Sequence, residues 1–242
     1  MAKHFKLTNE TKIKAFGVTL FRIECTLDCR WAKVGDKGGW VEKENNICGN
    51  AWVCDNAEVY GDAEVYGDAK VCGDAKVYGN AEVYGDAKVC GDAKVYGNAW
   101  VCGDAEVCDN AEVYGNAEVY GNAWVCGDAK VCGDAKVCGD AKVYGNAWVC
   151  GDAEVCGNAE VCGNAEVCGN AEYCCFQSFG RYGRTTTAFR EMEGGVRICC
   201  GCFYGNITEF ASAVQETHGD SQLGKEYKAI IEVIKVKFGI TE

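Results

Sequence analysis

From Ile47 to Tyr173 a single six-residue phrase, Val-(Tyr/Cys)-Gly-(Asp/Asn)-Ala-(Lys/Glu/Trp), repeats without insertion. Its Val position recurs at Ile47, Val53, Val59 and onward to Val167, and Tyr173 closes the series. An uninterrupted short period dictates a stack of equivalent units and outranks local propensity. Within each phrase Ala and Val lie two apart, with Lys, Glu or Trp between them. Strand alternation then turns Ala and Val inward and the variable residue outward. The Tyr or Cys that follows is outward by the same rule. Gly and then Asp or Asn supply corner chemistry, because these residues tolerate positive φ. One such strand cannot bury its own apolar face, so neighbours must stack.

The corner column gives the number of strands per coil. Sorted every 18 residues, it reads Cys54, Cys72, Cys90, Cys108, Cys126, Tyr144, Cys162 on one edge. A second edge reads Tyr60, Tyr78, Tyr96, Tyr114, Cys132, Cys150, Cys168. The two corners where Gly becomes Asp, Asp55 and Asp109, are 54 residues apart, three times 18. A competing 24-residue spacing of Trp100, Trp124 and Trp148 does not sort this column and reads as a trace of duplication. Like residues gain from stacking in register, so 18 is the structural period. The expectation is an all-β solenoid, a triangular parallel β-helix of about seven coils, and coils about 4.8 Å apart make a rod on the order of 35 Å long.

Two non-repetitive ends flank it. A solenoid exposes an open sheet edge at each end and needs caps. Residues 1–46 read as a β-rich N-terminal cap, in which Thr19–Glu24 alternates and Gly38-Gly39-Trp40-Val41 leads into the first coil. Residues 174–242 read as a hairpin plus two helices. The hairpin strands are Thr185–Arg190 and Val196–Cys200 around Gly194-Gly195. The first helix opens on a capping box of Asn206 and Glu209 and stops at Gly219. The second spans about Ser221 to Phe238 and is expected to cover the last coil.

The phrase resembles the hexapeptide repeat of left-handed parallel β-helices, and left-handedness is what that resemblance implies. The whole chain resembles a family of uncharacterised bacterial and prophage proteins. The marks are Gly38–Glu42, the Gly-Asn-Ala-x-Val solenoid, Cys200–Phe203, Glu209-Phe210 and Thr217–Gly219. Cys at so many corners departs from that pattern, where small polar residues are usual.

Charge is unevenly placed. Residues 1–46 hold 9 basic and 6 acidic residues, 47–173 hold 7 and 22, and 174–242 hold 8 and 8, giving the net −12. An acidic body disfavours nucleic acid as a direct ligand, since phosphate is held by Lys and Arg. It suits a protein partner with a basic surface. No apolar stretch reads as a signal peptide or membrane span, so the expectation is a cytoplasmic protein. Of 20 Cys, 13 occupy the corner position inside 47–173, where Tyr is the alternative. Tyr cannot replace half a disulfide, so mostly reduced thiols are expected.

Four function classes follow. Hexapeptide acyltransferases use a His as general base, and the repeat holds none: the two His are His4 and His218. No catalytic residues are therefore assigned. The ladder Cys54, Cys72, Cys90, Cys108 and Cys126 offers stacked thiols to a soft, thiophilic metal or to cross-coil disulfides, or packs as small apolar side chains. Cβ atoms about 4.8 Å apart lie slightly beyond the usual 3.5–4.5 Å of a disulfide, so that bridge is the wider fit. The tail residues Cys174, Cys175, Cys199, Cys200, Cys202 and His218 form a second candidate metal set, against a reading as buried cap residues. The column Glu64, Glu82, Trp100, Glu118, Lys136, Glu154, Glu172 is mainly acidic, and outward Trp52, Trp124 and Trp148 add candidate anchors for a protein partner. The reading is a non-enzymatic scaffold that binds a partner or a second copy. The alternatives are a phage-encoded mimic of nucleic acid that occludes a basic groove, and a thiolate metal binder.

Overall fold

The computed structural model describes residues 3–169, 172–180, 184–192 and 194–241. Its body is a parallel β-solenoid of about seven coils. Two-residue strands, each an outward residue and its Val, recur from Trp52–Val53 to Glu166–Val167. Pairing is parallel and always joins residue i to i+18: Glu58 faces Lys76, Trp100 faces Glu118, and Lys136 faces Glu154. Three strands thus make one coil, and three sheets form the faces. The 24-residue Trp spacing orders nothing in the stack. Every Ala and Val from Ala51 to Val167 is fully buried. Each such Val contributes on the order of 1.5 kcal/mol of apolar burial, so the stack supplies its own core.

The backbone closes each step. At one corner Asn98 N–H donates to the Gly115 carbonyl at 2.7 Å, and Trp100 N–H to that of Ala117 at 2.9 Å. Gly97 between these strands has φ of 76°, and a Cβ there would sit 3.0 Å from the Gly115 nitrogen. Positive φ and close approach of the next coil together require glycine. Asp and Asn beside the corners form ladders: Asn80, Asn98 and Asn116 each donate to the residue one coil on, ending at Asp134, over 2.8–3.0 Å.

At the N-terminal end, strands Phe5–Ile13 and Thr19–Cys25 pair antiparallel, and Lys37–Val41 pairs with the latter. Lys37–Val41 also runs parallel to Glu58–Val59, so one solenoid face continues directly into the cap. Gly39 makes this possible, since a Cβ on it would lie 2.6 Å from the Ala57 carbonyl oxygen. Cap side chains satisfy first-coil carbonyls: Arg22 Nη1 donates to Asp55 at 2.9 Å and Trp31 Nε1 to Asp68 at 2.7 Å. The cap also covers an outward position, leaving Trp52 2% exposed beside His4. Trp52 is therefore part of the core and cannot anchor a partner.

Glu58, the next outward residue, is likewise buried and pairs with Lys12 at 2.5 Å and with Lys14. Burial raises its pKa, but the two ammonium groups outweigh this and hold it below the ordinary value of 4.5. A carboxylate depressed in the folded state stabilises above its unfolded pKa and loses that contribution as pH falls through the folded one. Glu58→Gln leaves two cations over a buried neutral group and is expected to cost about 3 kcal/mol. Hydrogen exchange over Phe5–Cys25 reads this as faster opening in the variant at pH 7. The difference between the two proteins should shrink as the buffer is taken below pH 4.5.

At the other end, Tyr173–Phe179, Arg184–Arg190, Val196–Cys200 and Phe203–Asn206 form an antiparallel sheet in that order. The expected hairpin is its middle pair. The sheet lies on the last coils: Glu160 N–H donates to Thr187 Oγ1 at 3.1 Å, and Met192 N–H to the Asn164 carbonyl at 3.2 Å. Helices Ile207–His218 and Gln222–Phe238 pack on its far side, around Ile198, Phe210, Val214, Ile231 and Ile234. The first opens on the expected capping box of Asn206 and Glu209. The sheet, rather than the second helix, covers the last coil, and its strand Arg184–Arg190 with the adjoining Glu191 supplies polar groups to the coil's unpaired backbone. Among the described residues no helix is long and apolar enough to cross a membrane.

Candidate thiol edge and acidic face

Because every corner repeats at i+18, each edge of the rod is a column of side chains one coil apart. The edge that follows Trp52, Lys70, Lys88, Glu106 and Trp124 brings Cys54, Cys72, Cys90, Cys108 and Cys126 into line. Cys54 and Cys90 both hydrogen-bond to Cys72. With Lys70 and Lys88 nearby, these bonds hold the Cys72 thiol well below the usual thiol range. The same bonds, with burial, push Cys54 and Cys90 up. Burial raises Cys126 to about 11. Cys108 accepts a hydrogen bond from Trp124 Nε1 at 3.1 Å.

Carboxylates join the thiols. Three groups have their potential ligand atoms within 4.8 Å of one another: Cys54, Asp55 and Cys72; Cys90, Glu106 and Cys108; Cys108, Asp109 and Cys126. Asp55 and Asp109 are the two corners that depart from Gly, and both keep positive φ, 57° and 59°. Each reaches forward to the next coil, accepting from Gly73 N–H and Gly127 N–H at 3.1 Å. The sequence places both Asp residues on the cysteine column, but their convergence with two thiols depends on how the corner folds.

The second edge is different. Tyr60, Tyr78, Tyr96 and Tyr114 stack as near-parallel rings with centroids 4.9–5.1 Å apart. Further along, Cys150 and Cys168 form a disulfide with Cα atoms 4.4 Å apart. The coil spacing therefore admits a cross-coil bridge, one of the readings open to a stacked cysteine column, although the Cβ spacing made it the wider fit. The other cysteines among the described residues are free.

The tail candidates do not converge. Cys175 and Cys199 turn toward the solenoid, and Cys199 Sγ contacts Glu160 at 3.4 Å. Cys174 and Cys200 turn toward the helices. Alternation along a strand separates each adjacent pair. Cys200, Cys202 and His218 do share the wall of a cavity of about 210 Å³, while His218 stacks on Tyr227. Among the described residues no metal-competent group includes any of the six.

The faces differ in charge. One carries Glu64, Glu82, Glu118 and Glu154 against Lys136, with Glu172 continuing its column beyond the last strand. A second balances Glu58, Glu112 and Glu166 with Lys76, Lys94 and Lys130, and the third sets Glu106 and Glu160 against Lys70, Lys88 and Lys142. Trp100, at the centre of the acidic face, is 44% exposed. Trp124 is 40% exposed on the third face, and Trp148 is partly covered on the second, where its Nε1 donates to Cys132 at 3.1 Å. The exposed indoles thus wind around the rod, and Trp100 alone lies on the acidic face. Tyr66 beside it donates to Glu82 at 2.8 Å and stacks on Tyr84.

No protein-family model matches the chain, and no curated protein is detectably similar to it.

Proposed function

We propose that the protein is a non-enzymatic scaffold whose acidic face docks a partner protein with a basic surface. The observation that carries this is the segregation of charge. Only one of three otherwise equivalent faces accumulates carboxylates, and it centres on exposed Trp100. A flat face with a central indole and a charged rim has the composition of a protein-binding patch. The repeat contributes neither the His nor the inserted loop on which hexapeptide acyltransferases rely.

The expected result is a discrete partner captured from extract of the cells that express the protein, released by raising salt above about 0.5 M because exposed charge pairs are screened there. The double variant Glu82→Lys, Glu118→Lys should lose it, and Trp100→Ala should weaken it by at least tenfold, whereas Trp124→Ala on another face should not. A partner kept by the charge-reversed protein, or no partner at all, overturns the proposal.

A second reading has its own support. Residues 47–173 carry 7 basic and 22 acidic side chains. Spread over about seven coils at about 4.8 Å, the excess is one negative charge per roughly 2.2 Å, close to the roughly 1.7 Å per charge of duplex DNA. A rod of that charge density fits the basic groove of a nucleic-acid-binding protein. If the captured partner is such a protein, competition between the rod and a duplex for one groove identifies this form of the activity. Simultaneous binding of both excludes it.

A further inference from the structure

The cysteine edge lies outside the acidic face, and the docking proposal makes no use of it. Its two Asp corners are unusual in three independent respects. Every other described corner of the repeat is Gly. An Asp at positive φ is less favourable there than Gly. Both replacements fall on the same edge, three coils apart, and both are followed by Asn. Each places a carboxylate within 4.8 Å of two thiols stacked one coil apart. Corner chemistry alone does not explain that coincidence, since Gly serves the same corners elsewhere.

We propose that this edge binds a thiophilic divalent cation of the Zn²⁺ class at two sites. One is Cys54, Asp55 and Cys72; the other is Cys108, Asp109 and Cys126. Two sulfurs and one carboxylate oxygen suit a borderline cation better than Cu(I), which favours sulfur alone. The Asp carboxylates are exposed and leave a fourth, tetrahedral position to water. Both cysteines of each site would bind the ion as thiolates. Tetrahedral Zn²⁺ holds its sulfurs roughly 3.8 Å apart, so small side-chain rotations within the observed cluster complete the geometry. Glu106 contributes to the intervening group, which shares Cys108 with the second site and cannot be filled with it.

The repeat's own vocabulary supplies tests that preserve the fold. Cys72→Tyr with Cys108→Tyr installs the residue that Tyr144 already provides on this edge, and removes a ligand from both sites and from the intervening group. Asp55→Gly with Asp109→Gly restores the common corner. Full-length protein, reduced and metal-free, is dialysed anaerobically against ZnCl₂, and bound zinc is measured per chain. The wild type should hold two more ions than the Tyr variant, which cancels any zinc taken up by the tail cysteines. The Gly variant should bind at least tenfold more weakly, with far-ultraviolet circular dichroism unchanged. Equal zinc in wild type and Tyr variant overturns the proposal, as does unaltered affinity in a folded Gly variant, which reduces the edge to nonspecific thiol binding.

Discussion

Val101→Asp is expected to unfold the middle of the rod. Val101 is fully buried and stacks in register between Val83 and Val119, with Ala99 and Ala117 also buried beside it. Replacement removes roughly 1.5 kcal/mol of apolar burial. It also places a carboxyl group where no polar partner is in reach, bringing the total to more than about 5 kcal/mol. Coils are stabilised by nearest neighbours, so loss at one coil uncouples the two halves. Limited proteolysis should cut within the coils around residue 101, and circular dichroism should lose much of its strand signal at 25 °C. The outward control Trp100→Ala, on the adjacent position, should stay within about 0.5 kcal/mol of wild type. A Val101→Asp protein that melts like the wild type would falsify the assignment of the Val column to the core.

Gly39→Val tests the N-terminal closure. Here even a Cβ would meet the Ala57 oxygen and Val53 Cγ1, each at 2.6 Å. Neither obstacle is the free end of a flexible side chain, so Lys37–Val41 must move off Glu58–Val59. The expected cost exceeds about 3 kcal/mol, in the range of severe overpacking. Lifting the strand bares the edge of a parallel sheet, a template for pairing with another chain. Size exclusion with light scattering should therefore show concentration-dependent association, together with loss of amide protection in Phe5–Ile13. A variant that remains as protected and as disperse as the wild type would show that the cap is held by something other than this close approach.

How much of this was legible depended on periodicity. The Val and Ala columns, the corner Gly and the 18-residue coil all follow from one repeated phrase, and the pairing of Glu58 with Lys76 follows from counting alone. Where the repeat ends, so does that leverage. Phe5–Ile13 went unread because most of its side chains face solvent, so its Lys, Thr, Asn and Glu leave little apolar alternation to detect. Phe203–Asn206 is short and follows directly on a turn at Gly201. Trp52 obeys the outward rule of its phrase and is buried only because a distant segment folds over it. The tail cysteines are adjacent in sequence, which on a strand sends neighbours to opposite sides. The thiol–carboxylate groups lay halfway: the coincidence of Asp55 and Asp109 with the cysteine edge was readable, but their approach to two sulfurs was not.

The strict i+18 register makes the distance between the two caps a quantity that can change only in steps. Inserting or deleting 18 residues moves one cap along the axis by about 4.8 Å and leaves its azimuth unchanged. A single phrase instead turns that cap by about a third of a revolution and hands the acidic column beyond it to a different face of the stack. Length and phase are thus separately adjustable by duplication alone. The rod is a ruler whose graduations are written in the sequence, and a partner that touches both the face and a cap would read them.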